Sequence, residues 1–89
     1  MSIFSEKLTR LMNEKNITAY GLERLGFLKR TTITKYANGK SKPPDKESLE
    51  ELIRMMALGT EEADELREAY AITKIGEPIY FRRKHVEDL

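Results

Sequence analysis

The 89-residue sequence contains no cysteine and a single histidine. Without thiols the chain can form neither a disulfide nor a thiolate metal site, and one imidazole is too few for a multi-histidine metal centre. The histidine, His85, stands in a basic stretch with no serine or acid at catalytic spacing, so we interpret it as a solvated side chain. We therefore expect no enzyme activity, no bound metal and no small-molecule cofactor.

Long apolar runs are also missing from the sequence. No stretch approaches the roughly 18 consecutive apolar residues that a membrane-spanning helix needs. The first ten residues, MSIFSEKLTR, combine acidic and basic side chains where a signal peptide would have its apolar segment. From these two absences we expect a soluble protein that stays in the cytoplasm and does not bind a membrane.

The size and composition of the chain predict one small domain. Hydrophobic residues make up 39% of the sequence and charged residues 35%, which is enough for one core and above the profile of a disordered chain. Domains commonly have roughly 50 to 200 residues, so there is no room for a second one. We assign residues 1–76 to this domain and residues 77–89 to a C-terminal tail.

Positive charge is concentrated in the first half of the chain. The net charge is +1, but residues 1–44 contain nine Lys or Arg and three Glu, whereas residues 45–89 contain seven Lys or Arg and twelve acids. No acid occurs between Glu23 and Asp45, and we call residues 24–44 the basic segment. Its cations are Arg24, Lys29, Arg30, Lys35, Lys40 and Lys42. Such a segment favours a polyanionic partner.

Apolar spacing predicts an all-α domain of five helices and no strand. Phe4, Leu8 and Leu11 recur at spacings of four and three, which is typical of an amphipathic helix, and similar stripes follow along the chain. The predicted helices cover about residues 2–15, 18–25, 29–38, 46–58 and 61–75. A sixth short helix from Pro78 is possible in the tail.

Short polar side chains and glycines mark the predicted helix ends. Thr18, Asp45 and Thr60 are expected to act as N-caps, because their side-chain oxygens can accept hydrogen bonds from free backbone N–H groups. Gly26 is expected to end the second helix and Gly39 the third, since glycine readily adopts the left-handed conformation of a tight turn.

The second and third helices have the composition of a helix-turn-helix DNA reader. They are short, a glycine turn joins them, and the second of the pair is cationic. If Ile33, Tyr36 and Ala37 are buried, the outward face of the third helix presents side chains that can bond to base edges. These candidate base-reading residues are Lys29, Arg30, Thr31, Thr32 and Lys35. Arg30 is the first choice for guanine, because its guanidinium can donate to O6 and N7 together.

Other residues of this region are candidates for phosphate contacts, which hold the register without reading sequence. The backbone amides near Thr18 and Ala19 open the second helix, and free amides at such a position attract phosphate oxygens. Asn38, Lys40 and Lys42 follow the third helix, so they would contact the DNA backbone beside the groove that the helix enters.

Residues 17–40, ITAYGLERLGFLKRTTITKYANGK, resemble the helix-turn-helix of the lambda-repressor-like, or Xre, family. The most specific part is TTITKYANGK. With SLEEL at residues 48–52, which opens the fourth helix where that family opens its own, the resemblance covers about residues 3–72. It implies a five-helix DNA-binding domain whose third helix enters the major groove.

The resemblance also implies roles for individual residues. It places Arg30, Thr31 and Lys35 on bases and Asn38 on a phosphate, in agreement with the argument from the helix face. Two positions depart from the family pattern: Glu23 stands where the family usually has a small residue, and Phe27 stands where it has the turn glycine. Because glycine comes one residue early, we expect the turn to be shifted by one residue.

From these observations we expect a sequence-specific transcriptional regulator, a repressor that binds double-stranded DNA. It would bind a pseudo-palindromic operator as a homodimer, with its two third helices about 34 to 36 Å apart. The dimer contact would use either the fifth helix or the exposed cluster of the tail. This cluster comprises Ile79, Tyr80, Phe81 and Val86. The resemblance implies a bacterial or phage-encoded protein associated with the nucleoid.

The alternatives are protein-interaction functions. In the first, an antitoxin-like module would use the acidic fourth and fifth helices or the tail to bind a basic partner protein, with or without DNA binding. In the second, an adaptor would bind no DNA at all. A nucleotide-binding loop is excluded, because Thr34 stands where the Gly39-Lys40-Ser41 sequence would need another glycine.

Overall fold

The computed structural model of the chain describes residues 2–26 and 28–76. Within these residues it contains five α-helices and no strand, so the expected all-α class is confirmed. The helices are α1 (Ile3–Glu14), α2 (Ala19–Glu23), α3 (Arg30–Asn38), α4 (Lys46–Met55) and α5 (Thr60–Ile75). The predictions for the tail, including its cluster as a dimer contact, and for Phe27 lie outside the described residues.

The α2–α3 region has the expected caps. The Thr18 hydroxyl accepts a hydrogen bond from the Gly21 N–H at 3.0 Å, so the predicted cap of α2 is confirmed. The helix ends at Glu23, two residues before the predicted end, because residues 24–26 already form a turn. Gly26 has a φ of 91°, in the left-handed region that favours glycine.

The end of α3 also agrees with the prediction. Gly39 follows the helix with a φ of 76°, and the Lys40 N–H donates to the Lys35 carbonyl at 3.1 Å. This arrangement is typical of a glycine-terminated helix, because the left-handed residue turns the next N–H back toward an unpaired carbonyl. The helix therefore begins and ends within a residue of its predicted limits.

Of the predicted N-caps of α4 and α5, the first is confirmed and the second is wrong. The Asp45 carboxylate accepts from the Ser48 N–H at 2.8 Å, which confirms the predicted cap. The prediction for Thr60 is wrong, because Gly59 is the N-cap of α5 and Thr60 is its first residue. The Gly59 N–H donates to the Glu62 carboxylate at 3.2 Å, so this carboxylate, and not the threonine hydroxyl, completes the helix start.

The core contains fully buried aliphatic side chains from four helices. Leu8 of α1, Ile33 of α3, Leu52 of α4 and Leu66 of α5 are all completely shielded from solvent, and Leu22 of α2 is nearly so. The first helix lies in the middle of this arrangement, because it packs against both α3 and α5. The core therefore fixes which side of α3 is available to a partner.

Polar contacts reinforce the packing of α5 on its neighbours. The Phe4 N–H at the start of α1 donates to the Thr73 hydroxyl at 2.9 Å. Ion pairs join Lys7 to Glu65 at 2.8 Å, and Arg67 to Glu50 of α4 at 2.7 Å. The acids of α5 are thus partly used in contacts within the domain.

The replacement of Ile33 by alanine should destabilise the domain by about 2 to 5 kcal/mol. The reason is that Ile33 is the one residue of α3 that is fully buried, so the smaller side chain leaves a cavity beneath the helix. Urea unfolding followed by circular dichroism measures the effect. Thr34→Ala is the matched control on the exposed side of the same helix and should leave the midpoint nearly unchanged.

The domain should lose stability in acid. Hydrogen bonds from the Ser48 backbone, Arg67 and Lys15 lower the pKa values of Asp45, Glu50 and Glu62 respectively below their ordinary values of 3.8, 4.5 and 4.5. Because folding lowers these pKa values, the three ionised carboxylates stabilise the folded state. Their contribution to the free energy of unfolding is complete above the ordinary pKa and is lost as the pH falls through the lower, folded-state pKa.

The measurement is the melting temperature as a function of pH, which should decrease below about pH 5. A Glu50→Gln, Glu62→Gln double variant should melt at a lower temperature than the wild type at neutral pH and should show a shallower decrease in acid. An equally steep decrease in this variant would show that other groups cause the acid sensitivity.

Candidate nucleic-acid interface

The third helix is held to the domain by one side only. Ile33 is buried against the core, and Tyr36 and Ala37 are partly buried beside it, as the sequence predicted. The Thr9 hydroxyl of α1 donates to the Ala37 carbonyl at 2.6 Å, which adds a polar contact to the same side. The opposite side of α3 is consequently directed away from α1.

Four of the five candidate base-reading residues are exposed. Thr31 and Lys35 lie two residues before and after Ile33, so they project from the side of the helix opposite the core. Lys29 and Arg30 are exposed at the start of α3, whereas Thr32 is half-buried. The structure therefore places most, but not all, of the predicted face in solvent.

The exposed face includes Thr34, which the sequence analysis did not select. It lies one turn after Arg30 and one turn before Asn38, on the same side of the helix. The helical period could have identified Thr34 from the sequence. When only a narrow apolar stripe of a helix contacts the core, a residue next to Ile33 in the sequence can still be exposed. Thr34 adds a hydroxyl between the two ends of the face.

The side chain of Arg30 is directed toward α2. Its guanidinium carbon lies 5.6 Å from the centre of the Tyr20 ring, and that of Arg24 lies 6.0 Å from the same ring. Both distances are within the range of cation–π attraction. Tyr20 is itself half-exposed. The sequence pattern alone indicates no individual role for Tyr20 and Arg24, because only the packing of α2 beside α3 brings them together with Arg30.

Glu23 lies at the start of α3, although it belongs to α2. Its carboxylate accepts a hydrogen bond from the backbone N–H of Arg30 at 2.6 Å. The residue in the N-cap position, Lys29, makes no side-chain cap. The sequence analysis identified Glu23 as a departure from the family pattern but did not predict this bond, because the two residues are seven positions apart.

The candidate phosphate-binding residues occupy two places. Asn38, at the end of α3, is half-buried, and its side-chain oxygen accepts from the Lys40 N–H at 2.9 Å. Lys40 and Lys42 are exposed just beyond it. Thr18 and Ala19 lie at the start of α2, where the Thr18 hydroxyl accepts the cap hydrogen bond, so its O–H and the backbone amides there remain as donors for a phosphate.

The cations of the basic segment have no carboxylate partner in the described part of the chain. The ion pairs found there join other cations to acids. They are Lys7 with Glu65, Arg10 with Glu14, Lys15 with Glu62, Arg54 with Glu51, and Arg67 with Glu50 and Asp64. No acid of residues 2–26 and 28–76 forms an ion pair with the positive charge of the basic segment, which suits an external anion.

Other kinds of site find little support in the geometry. Residues 2–26 and 28–76 contain no group of three or more His, Asp or Glu that could hold a metal ion. None of their helices is both long enough and apolar enough to cross a membrane. An open depression of about 700 Å³ beside α4 is lined by six charged residues and Ile53.

Comparisons with protein-family models, with curated proteins and with solved structures found no match to this chain.

The double replacement of Thr31 and Lys35 by alanine should leave the fold intact. Both side chains are exposed on the side of α3 opposite Ile33, and exposed substitutions of this kind change the free energy of unfolding by no more than about 0.5 kcal/mol each. Urea unfolding of the double variant and of the wild type measures this change in the free energy of unfolding. A large loss of stability would show that this face has a structural role, which would remove the reason for assigning it to a partner.

Proposed function

We propose that this protein is a sequence-specific DNA-binding transcriptional regulator whose third helix, α3, enters the major groove. The observation that carries the proposal is the two-sided character of α3. Its inner side is anchored by Ile33, and its outer side combines cations with hydroxyl groups. No carboxylate side chain pairs with those cations within residues 2–26 and 28–76.

The exposed groups of α3 suit the chemistry of base edges. The major groove admits an α-helix, and there each base pair presents a distinct pattern of donors and acceptors. The Arg30 guanidinium can donate two hydrogen bonds to a guanine, for which it would leave or share its position beside Tyr20. The hydroxyls of Thr31 and Thr34 can bond to a donor or an acceptor, and Lys35 can donate to guanine.

Phosphate contacts would fix the helix in the groove. Lys40 and Lys42 follow α3 and are exposed, so they are suitable for the phosphates that border the groove. Asn38 retains its side-chain amide as a donor, because the oxygen already binds Lys40. These contacts supply affinity for any duplex, whereas the α3 side chains supply the choice of sequence.

The regulatory mechanism that we propose is repression by a homodimer. Two copies would place their third helices in successive major grooves of a pseudo-palindromic operator. A protein bound in this way blocks access of RNA polymerase to an overlapping promoter. The resemblance of residues 17–40 to the lambda-repressor-like family supports this arrangement, including a cytoplasmic location on the nucleoid.

The antitoxin-like alternative receives less support from the charges. A basic partner protein would have to bind the acids of α4 and α5, and several of these acids already pair with cations of the same domain. They are Glu50, Glu51, Glu62, Asp64 and Glu65. An external cation would compete with these internal partners, whereas DNA would meet a basic segment that forms no ion pair within the described part of the chain.

Selection of bound duplexes from a random pool tests the proposal. The wild-type chain should enrich a half-site motif that occurs twice at a defined spacing. The Arg30→Ala, Lys35→Ala double variant should lose this selectivity, because each well-formed contact to a base contributes about 1 to 3 kcal/mol of discrimination. A Lys46→Ala variant, which removes an exposed cation at the start of α4, is the matched control and should enrich the wild-type motif.

Two results would contradict the proposal. One is that the wild-type chain enriches no sequence and retards no duplex at low salt. The other is that the double variant, although folded, recovers the same motif as the wild type. A Lys40→Ala, Lys42→Ala variant distinguishes phosphate contacts from base contacts, because it should weaken binding to all sequences and reduce its salt dependence.

A further inference from the structure

One acid, Glu23 at the end of α2, lies beside the start of α3 in an otherwise basic stretch of the chain. Glu23 is the only Asp or Glu in residues 15–44. Its carboxylate does not pair with a cationic side chain of the described region. It binds the backbone N–H of Arg30, the first residue of α3. A negative charge is thus held at the edge of the face that we assign to DNA.

The position of this charge is set by the electrostatics of the helix. The first N–H groups of an α-helix have no partner within the helix and carry a partial positive charge. Lys29 provides no side-chain cap, and the first turn of α3 contains no acid of its own. The carboxylate of Glu23 fills this gap across the turn, at 2.6 Å from the Arg30 nitrogen.

Capping by itself does not require a charge. A serine, threonine or asparagine at residue 29 would accept the same kind of hydrogen bond, and so would a glutamine at residue 23. A carboxylate differs from these groups by its charge, which is attracted to the helix start but also repels the phosphates of DNA. The choice of an acid at this point has a consequence for binding beyond the stability of the helix.

We propose that Glu23 is a positioning residue that also limits sequence-independent DNA binding, because its carboxylate, bound to the N–H of Arg30, keeps a negative charge at the N-terminus of α3. Binding without sequence preference depends almost entirely on attraction to phosphates, so it is weakened most by this charge. A complex at the proper site has base contacts in addition. The inference rests on the proposed DNA-binding function.

The test compares variants on a duplex of random sequence at fixed low salt. Glu23→Gln keeps an oxygen that can cap α3 but removes the charge, and it should bind about fivefold more tightly, the effect of one repulsion of about 1 kcal/mol. Glu68→Gln is the matched control, because it changes the net charge equally on an exposed position of α5, which packs on α1. It should bind nearly as the wild type does.

Two further variants separate charge from capping. Glu23→Ala removes both the charge and the hydrogen bond, so it should also bind random duplex more tightly, and it replaces Glu23→Gln if that variant does not fold. Glu23→Asp keeps the charge on a shorter side chain and should remain close to the wild type. Raising the salt concentration should reduce all these differences, since the repulsion is screened.

The inference is overturned if folded Glu23→Gln and Glu23→Ala bind random duplex no more tightly than the wild type. It is also overturned if Glu68→Gln tightens binding equally, because the effect would then belong to the net charge. Both results leave DNA binding by the wild-type chain in place. Complete absence of binding by the wild type to any duplex would instead remove the proposed function and this inference together.

Discussion

The burial of Ile33 against the core is the constraint on which the rest of the interface depends. It fixes the rotation of α3 about its own axis, and the bond from Thr9 to the Ala37 carbonyl holds the same side. A helix with one anchored side must present the other, so Thr31, Thr34 and Lys35 face solvent as a consequence of packing. The chemistry of the exposed side is then free to serve a partner.

The distribution of acids makes this exposed side electropositive. The two halves of the sequence carry opposite charge, but folding does not simply cancel one against the other. Carboxylates of α5 pair with Lys7 of α1, with Lys15 just after that helix, and with Arg67 of their own helix. The basic segment takes no part in these pairs, so its field is available to a polyanion. Because the acids of α5 pair with cations outside the basic segment, they do not neutralise the basic segment itself.

Glu23 is an acid that hydrogen-bonds within the basic segment, and its charge has two opposing effects. A carboxylate among cations lowers the attraction for DNA, while the same carboxylate satisfies a free N–H at the start of α3. Departures of this kind are expected at functional sites, where the best residue for stability and the best residue for binding differ. The contact with Tyr20 similarly gives Arg30 a defined position before any partner is bound.

The sequence by itself determined the helices, the caps at Thr18 and Asp45, the glycine turns and the buried position of Ile33, because each depends on residues within one or two helical turns. The prediction for the cap of α5 was wrong, although the contact that completes this helix start, from the Gly59 N–H to the Glu62 carboxylate, is also local. Tertiary structure alone decided the direction of Arg30 toward Tyr20 and the bond from its N–H to Glu23. These contacts join residues seven or more positions apart, and they exist only because the packing of α2 beside α3 brings the side chains of Tyr20 and Glu23 within reach of Arg30.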